Sequence, residues 1–172
     1  MVLLYSSSDQ SIESITDQVK TRFGISVDHS KINIVKLKKA YKLRPERYTQ
    51  WTLLYQSLAY LEVCAEAMSA VPCDLFIDTM GVGMAYPLVK IVFGAKILSY
   101  THYPMISSDM IEQISTVQFN NQSSSSLKKF IKRIYYRFLM VFYMLGGKAA
   151  DQILTNSTWT DDHMRKLWNK PD

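Results

Sequence analysis

The chain has 172 residues, of which 48% are hydrophobic and 20% charged, with a formal net charge of +5. That length suits one domain with a real core and falls short of two of ordinary size, and the composition excludes wholesale disorder. No run reaches the roughly 18 to 20 apolar residues of a bilayer span, and Met1-Val2-Leu3-Leu4-Tyr5 has neither the basic start nor the apolar length of a secretory signal.

Val2-Leu3-Leu4-Tyr5, closed by Ser6-Ser7-Ser8, reads as a buried strand. Ile12, Ile15, Val19 and Phe23 then recur at helical spacing, with Ser8 or Asp9 as cap and Gly24 as stop. Ile32 to Val35 is the next strand. Trp51, Leu54, Tyr55, Leu58, Leu61, Ala65 and Met68 mark the core face of a long helix that stops before Pro72. Leu75-Phe76-Ile77 is a strand whose following turn carries Gly81 and Gly83, ahead of an apolar stretch containing Pro87. Lys96 to Tyr100 is a further strand.

Asp109, with Glu112 three residues on, opens a helix to about Thr116. Residues 120–126, Asn-Asn-Gln followed by four serines, are a flexible polar insertion. Leu127, Phe130, Ile131, Ile134, Phe138 and Phe142 repeat at helical spacing until Gly146-Gly147. Gln152 to Thr155 is the last strand, and Asn156-Ser157 opens a last helix with Met164, Leu167 and Trp168 on its apolar face. Strands alternate with helices throughout, which gives an α/β fold with a parallel sheet covered on both faces.

More than half of the 20 basic residues fall in two segments. Lys31, Lys36, Lys38, Lys39, Lys42, Arg44 and Arg47 form one; Lys128, Lys129, Lys132, Arg133 and Arg137 form the other. Either suits an anionic partner, and the plain alternative is two solvated faces. Beside a broad apolar face, the second set suits a helix lying in the membrane interface, with an ordinary core helix as its rival. Aromatics do not interleave with the first set, so a nucleic-acid partner ranks last. Cys64 and Cys73 have no metal-ligand or CxxC spacing, and a reducing compartment is the simpler expectation. The sequons at Asn121 and Asn156 are expected to be unused.

Ligands of open α/β sheets gather at the carboxyl ends of the strands. His102, one of three histidines, stands at such an end, just before Tyr103-Pro104. An imidazole there can donate to a hydroxyl or phosphate or accept a proton near neutral pH, and the plain alternative is a histidine bonded to a nearby carbonyl. Asp78 can receive sugar hydroxyls, though capping of the following turn explains it equally, and Gly81 can let a ligand approach the backbone. Asn156 and Ser157 cap the last helix and face the same strand ends. His29 and His163 are expected far from His102, which leaves no metal triad.

Four separated stretches, "DLFIDTMG", "SYTHYPMISSDM", "IYYRFLMVFYMLGG" and "TNSTWTDDHMRKLW", in that order and spacing, closely resemble the N-terminal half of the asparagine-linked glycosylation α-1,2-mannosyltransferases. The resemblance runs from about Ile12 onward. It implies the N-terminal domain of a GT-B glycosyltransferase, a Rossmann-like parallel sheet with helices on both faces. It also implies metal-independent, retaining transfer from GDP-mannose, without a cofactor. The fourth and fifth mannoses would be added to dolichol-pyrophosphate-linked oligosaccharide at the cytosolic face of the endoplasmic reticulum membrane, beside other mannosyltransferases of the pathway.

On that resemblance His102 is the cleft histidine that contacts the transferred sugar. Tyr103, Pro104, Ser107, Ser108 and Asp109 shape the acceptor side, and Asn156 and Ser157 the floor near the domain hinge. Lys128, Lys129, Lys132, Arg133 and Arg137 face the membrane. The whole chain is then expected to be one acceptor-side and membrane-side domain, truncated at both ends, without the family's membrane anchor, glycine-rich first loop or C-terminal donor domain. Such a chain cannot close around GDP-mannose and is expected to be inactive alone. The rival expectation is a non-catalytic, membrane-associated interaction module derived from that enzyme.

Overall fold

The computed structural model describes residues 2–6, 11–106 and 126–170. The helix expected from Asp109, nearly all of the polar insertion, and the candidates Ser107, Ser108 and Asp109 lie outside the described residues. The chain divides into two compact units, Met1–Pro72 and Cys73–Asp172.

In the first unit, β1 (Val2–Ser6) pairs in parallel with β2 (Ile32–Lys36), Val2 opposite Ile32 and Ser6 opposite Lys36. Helix α1 (Ile12–Phe23) connects them. Its cap is Ser11, not Ser8 or Asp9: the extended backbone of Ser11 directly precedes the first helical residue, and its Oγ accepts from Ser14 N at 3.3 Å. Gly24 ends α1 in the left-handed region, as expected. Two short 3-10 turns follow β2, at Ala40–Leu43 and Pro45–Arg47.

Helix α2 (Thr52–Ala70) buries a different face from the one its spacing suggests. Ser57, Ala59, Tyr60, Val63, Cys64, Ala67 and Met68 are buried, whereas Tyr55 and Leu58 are exposed and Trp51 lies outside the helix at its N-cap. The helix is apolar on most of its circumference, so periodicity does not select a side. Small side chains do, because they allow close approach. Acidic residues of α2 answer the first basic segment. The Glu66 carboxylate accepts from Lys38 N and Lys39 N at 2.7 and 2.9 Å, and Glu62 pairs with Lys42 and Lys39.

The second unit is an α/β Rossmann-like arrangement. Strands β3 (Leu75–Asp78), β4 (Lys96–Thr101) and β5 (Gln152–Thr155) lie in that order, all parallel. Helix α3 (Tyr86–Phe93) precedes β4, α4 (Ser126–Gly147) precedes β5, and α5 (Thr158–Trp168) follows it. Val89, Ile97, Leu139, Tyr143, Met164 and Trp168 form its buried centre. Trp168 takes the edges of Tyr86 and Tyr143, with ring centroids 5.9 and 5.4 Å away.

Gly146 and Gly147 do more than stop α4. A Cβ on Gly147 would enter the Trp168 ring, and one on Gly146 would meet the backbone of Gly83. The pair lets the end of α4 lie directly against the loop after β3.

Candidate functional site

The second unit's strand ends carry the candidate site. Thr101 of β4 stands opposite Thr155 of β5, so His102 and Asn156 each follow directly from that pair. Adjacent strands lie about 4.8 Å apart, which makes these two residues neighbours at the carboxyl edge of the sheet. Both are exposed. The Tyr100 ring meets the His102 imidazole edge-on at 4.8 Å and an interplanar angle of 89°. Neither the imidazole nor the Asn156 amide is hydrogen-bonded to another side chain among the described residues.

Helix α5 begins at the same edge. Ser157 is its N-cap, its Oγ accepting from Thr160 N at 3.2 Å. Thr160 is buried, and its hydroxyl donates to the carbonyl oxygen of His102 at 3.2 Å. The exit of β4 is thereby tied to the first turn of α5. Three rings continue from that point. Tyr103 stacks on Trp159 with centroids 5.3 Å apart and an 18° angle, and Trp159 stacks on His163 at 3.9 Å and 29°. His163 Nδ1 lies 2.7 Å from the Trp159 carbonyl oxygen, one helical turn back. The expectation that His163 lies far from the His102 region is therefore corrected: one turn of helix and two ring contacts carry it back to Tyr103.

Beneath the edge lies a closed polar network. Asp78 Oδ1 accepts from Met80 N at 2.8 Å, and Oδ2 accepts from Val82 N at 3.1 Å and from the Tyr86 hydroxyl at 2.7 Å. The Tyr86 oxygen also lies 2.7 Å from Ser99 Oγ. A phenol has one proton, and this one goes to the carboxylate, so Ser99 donates to Tyr86 and Thr101, 3.1 Å from Ser99, donates in turn. Burial, and then the negative charge of Asp78, push the Tyr86 phenol up. Burial does the same to Tyr143, whose hydroxyl donates to the Gly81 carbonyl at 3.0 Å.

Gly81 has φ 67°, and a Cβ there would stand 2.7 Å from Thr101 Oγ1. The loop after β3 is thus pressed against the strand that delivers His102.

The family described as "ALG11 mannosyltransferase N-terminus" matches residues 1–168. The chain belongs to this family. The GDP-Man:Man(3)GlcNAc(2)-PP-Dol alpha-1,2-mannosyltransferase of Mus musculus is 37% identical over 161 residues, covering 91% of this chain and 32% of its own length. Its namesake in Dictyostelium discoideum is 32% identical over 173 residues, covering 98% and 34%. That of Homo sapiens is 34% identical over 161 residues, covering 91% and 32%. The chain therefore spans about a third of the length of the curated relatives it matches. No solved structure gave a significant match.

Within this ALG11-type chain the sequence candidates fall into three groups. His102, Tyr103, Asn156 and Ser157 come together at the strand ends, with Pro104 buried next to them. Asp78 and Gly81 are buried under that edge. The oxygens of Asp78 are taken by Met80, Val82 and Tyr86, and Gly81 is held by Tyr143. Lys132, Arg133 and Arg137 lie exposed on α4, while Lys128 and Lys129 belong to its first turn.

Helix α4 differs most from an ordinary core helix. Phe130, Ile134, Phe138, Val141 and Leu145 follow one another at steps of three or four, and each is between 51% and 61% exposed. Leu139 and Tyr143 take the core side. The apolar stripe therefore faces solvent, as the interfacial reading of this helix expects and the core-helix rival does not, with Arg133 and Arg137 along its margin. No helix among the described residues is long and apolar enough to cross a membrane.

Sequence reasoning missed Trp159, Thr160 and His163. The signal was present: with Ser157 as cap, Thr160 lies in the first turn, and Trp159 and His163 are four apart on one helix face. No group of His, Cys, Asp or Glu among the described residues is suited to hold a metal.

Proposed function

We propose that this chain forms the acceptor side of an α-1,2-mannosyltransferase. GDP-mannose would be the donor, and dolichol-pyrophosphate-linked oligosaccharide would receive its fourth and fifth mannoses at the cytosolic face of the endoplasmic reticulum membrane. The observation that carries this reading is the juxtaposition of His102 and Asn156 at the carboxyl edge of a parallel sheet, both exposed and neither bonded to another side chain among the described residues. The relatives' printed names supply the donor and acceptor.

His102 contacts the sugar being transferred, and the Thr160 hydroxyl fixes the backbone that aims it. Tyr103, Pro104, Ser107, Ser108 and Asp109 border the acceptor. Donor binding belongs to the part of the relatives that this chain does not span. Transfer then needs both parts, because charge on the departing diphosphate must be stabilised in a closed, preorganised site. Metal plays no part in this scheme.

The experiment is His102→Ala in a full-length enzyme carrying these residues, assayed for mannose transfer. Transfer should fall by about a hundredfold or more while acceptor binding persists. Unchanged transfer rejects the role.

The apolar stripe of α4 supports a membrane contact. Its exposed aromatic and aliphatic residues enter the acyl boundary while Lys128, Lys129, Lys132, Arg133 and Arg137 meet anionic head groups. Sedimentation with vesicles should rise with anionic lipid and fall with salt. Binding indifferent to both argues against the contact. Tight vesicle binding with no transfer, even when the relatives' remaining length is supplied, favours the non-catalytic membrane module instead.

A further inference from the structure

Tyr103 and Trp159 are 56% and 42% exposed although each covers part of the other. Exposed aromatic rings are ordinarily mobile and lose apolar contact to water. Here Trp159 stacks on both Tyr103 and His163, and its own carbonyl oxygen lies at hydrogen-bonding distance from the His163 ring. The stack starts from α5, whose first turn is bonded to the His102 backbone. The outer face of Tyr103 is thus a flat apolar plate held in a fixed orientation, at the same strand edge as His102 and Asn156.

We propose that the outer face of the Tyr103 ring, braced by Trp159, is a stacking platform for a hexopyranose of the glycan acceptor. A pyranose ring has one apolar face of C–H groups and a rim of hydroxyls. It matches a single aromatic plate bordered by donors and acceptors. An isoprenoid chain has no hydroxyls for that border and would call for an apolar groove. Trp159 and His163 are positioning residues: they hold Tyr103 in its binding orientation before the sugar arrives, so that less side-chain freedom is lost on binding. The inference rests on the acceptor reading above and adds to it the sugar contact and the residues that make it.

The test uses this chain, labelled with nitrogen-15, and the soluble oligosaccharide Man3GlcNAc2. Its three tryptophans give three indole N–H signals, and that of buried Trp168 reports whether the second unit is folded. Titration should shift the Trp159 signal, with saturation transfer from the Tyr103 ring to sugar protons, and leave Trp168 in place. Tyr103→Ala should weaken binding about tenfold, whereas Tyr103→Phe should keep it within about twofold, because the ring and not the hydroxyl makes the contact. If Tyr103→Ala moves the Trp168 signal, Tyr103→Leu replaces it and should show the same loss, being apolar without a flat face.

Oligosaccharide binding that is indifferent to Tyr103→Ala or Tyr103→Leu overturns the platform and leaves the acceptor reading standing. A wild-type chain in which the sugar shifts no signal at the strand ends overturns both. A Trp159 shift with a short polyprenyl phosphate and none with the sugar overturns the platform in favour of a lipid contact.

Discussion

The Thr160 hydroxyl donates to the carbonyl oxygen of His102 at 3.2 Å across 58 residues of sequence. It joins the end of β4 to the start of α5, and its donor, Thr160, is buried. Thr160→Val keeps the volume and removes the donor. Urea denaturation should show a loss of about 1 to 2 kcal/mol, since an acceptor is left unsatisfied. Thr160→Ser, which restores the hydroxyl, should recover most of it.

Gly81 combines a positive φ of 67° with a Thr101 side chain that leaves no room for a Cβ. Gly81→Ala should therefore cost on the order of 2 kcal/mol or more, from backbone strain and overpacking together. Adding Thr101→Ala relieves the clash but not the backbone. The double variant should regain only part of the lost melting temperature, and full recovery would show that φ is not strained.

The Tyr86 hydroxyl donates a hydrogen bond to Asp78 and accepts one from Ser99, all inside the core. Tyr86→Phe leaves a buried carboxylate short of one donor and should cost about 1.5 to 3 kcal/mol. In the native chain both Tyr86 and Tyr143 stay protonated above the ordinary value of 10.0. The sign follows from linkage: a raised folded value contributes stability that is fully present below the unfolded value and is lost as pH climbs past it. Ultraviolet titration should show these two phenols ionising only as the protein unfolds in alkali.

Asp151 works at the opposite end of the pH scale. The Lys90 ammonium, 2.6 Å from Oδ1, and then the Ile97 N–H, 2.8 Å from Oδ2, hold its carboxyl below the ordinary 3.8. A lowered folded value contributes stability that is present above the unfolded value and disappears as pH falls through the folded one. Asp151→Asn should lower the urea midpoint at neutral pH and flatten its decline below about pH 4. An unchanged acid profile would show that other carboxylates govern it.

The order of strands and helices was legible because apolar runs of four to six residues alternate with longer stretches of helical period, and connection length then dictates parallel pairing. His102 was legible for a local reason: it follows a strand and precedes a proline. The buried face of α2 was not. Its apolar residues ring the helix, and the choice between sides belongs to small residues such as Ala59 and Ala67 that matter only when something approaches closely. The cap of α1 was misread by two or three residues because several serines and an aspartate precede it, and only the backbone turn selects Ser11.

By itself, then, the sequence determined the alternating α/β order, the family, and the strand end on which His102 stands, because each is written in local period and spacing. Tertiary structure alone decided three further things. It turned the apolar stripe of α4 outward, since Leu139 and Tyr143 already fill the core side. It spent Asp78 on the loop that follows it, since a buried carboxylate must collect donors from whatever backbone is nearest. And it brought Trp159 and His163 to Tyr103, from more than 50 residues away in the chain, because parallel strands bring their following segments to one edge of the sheet.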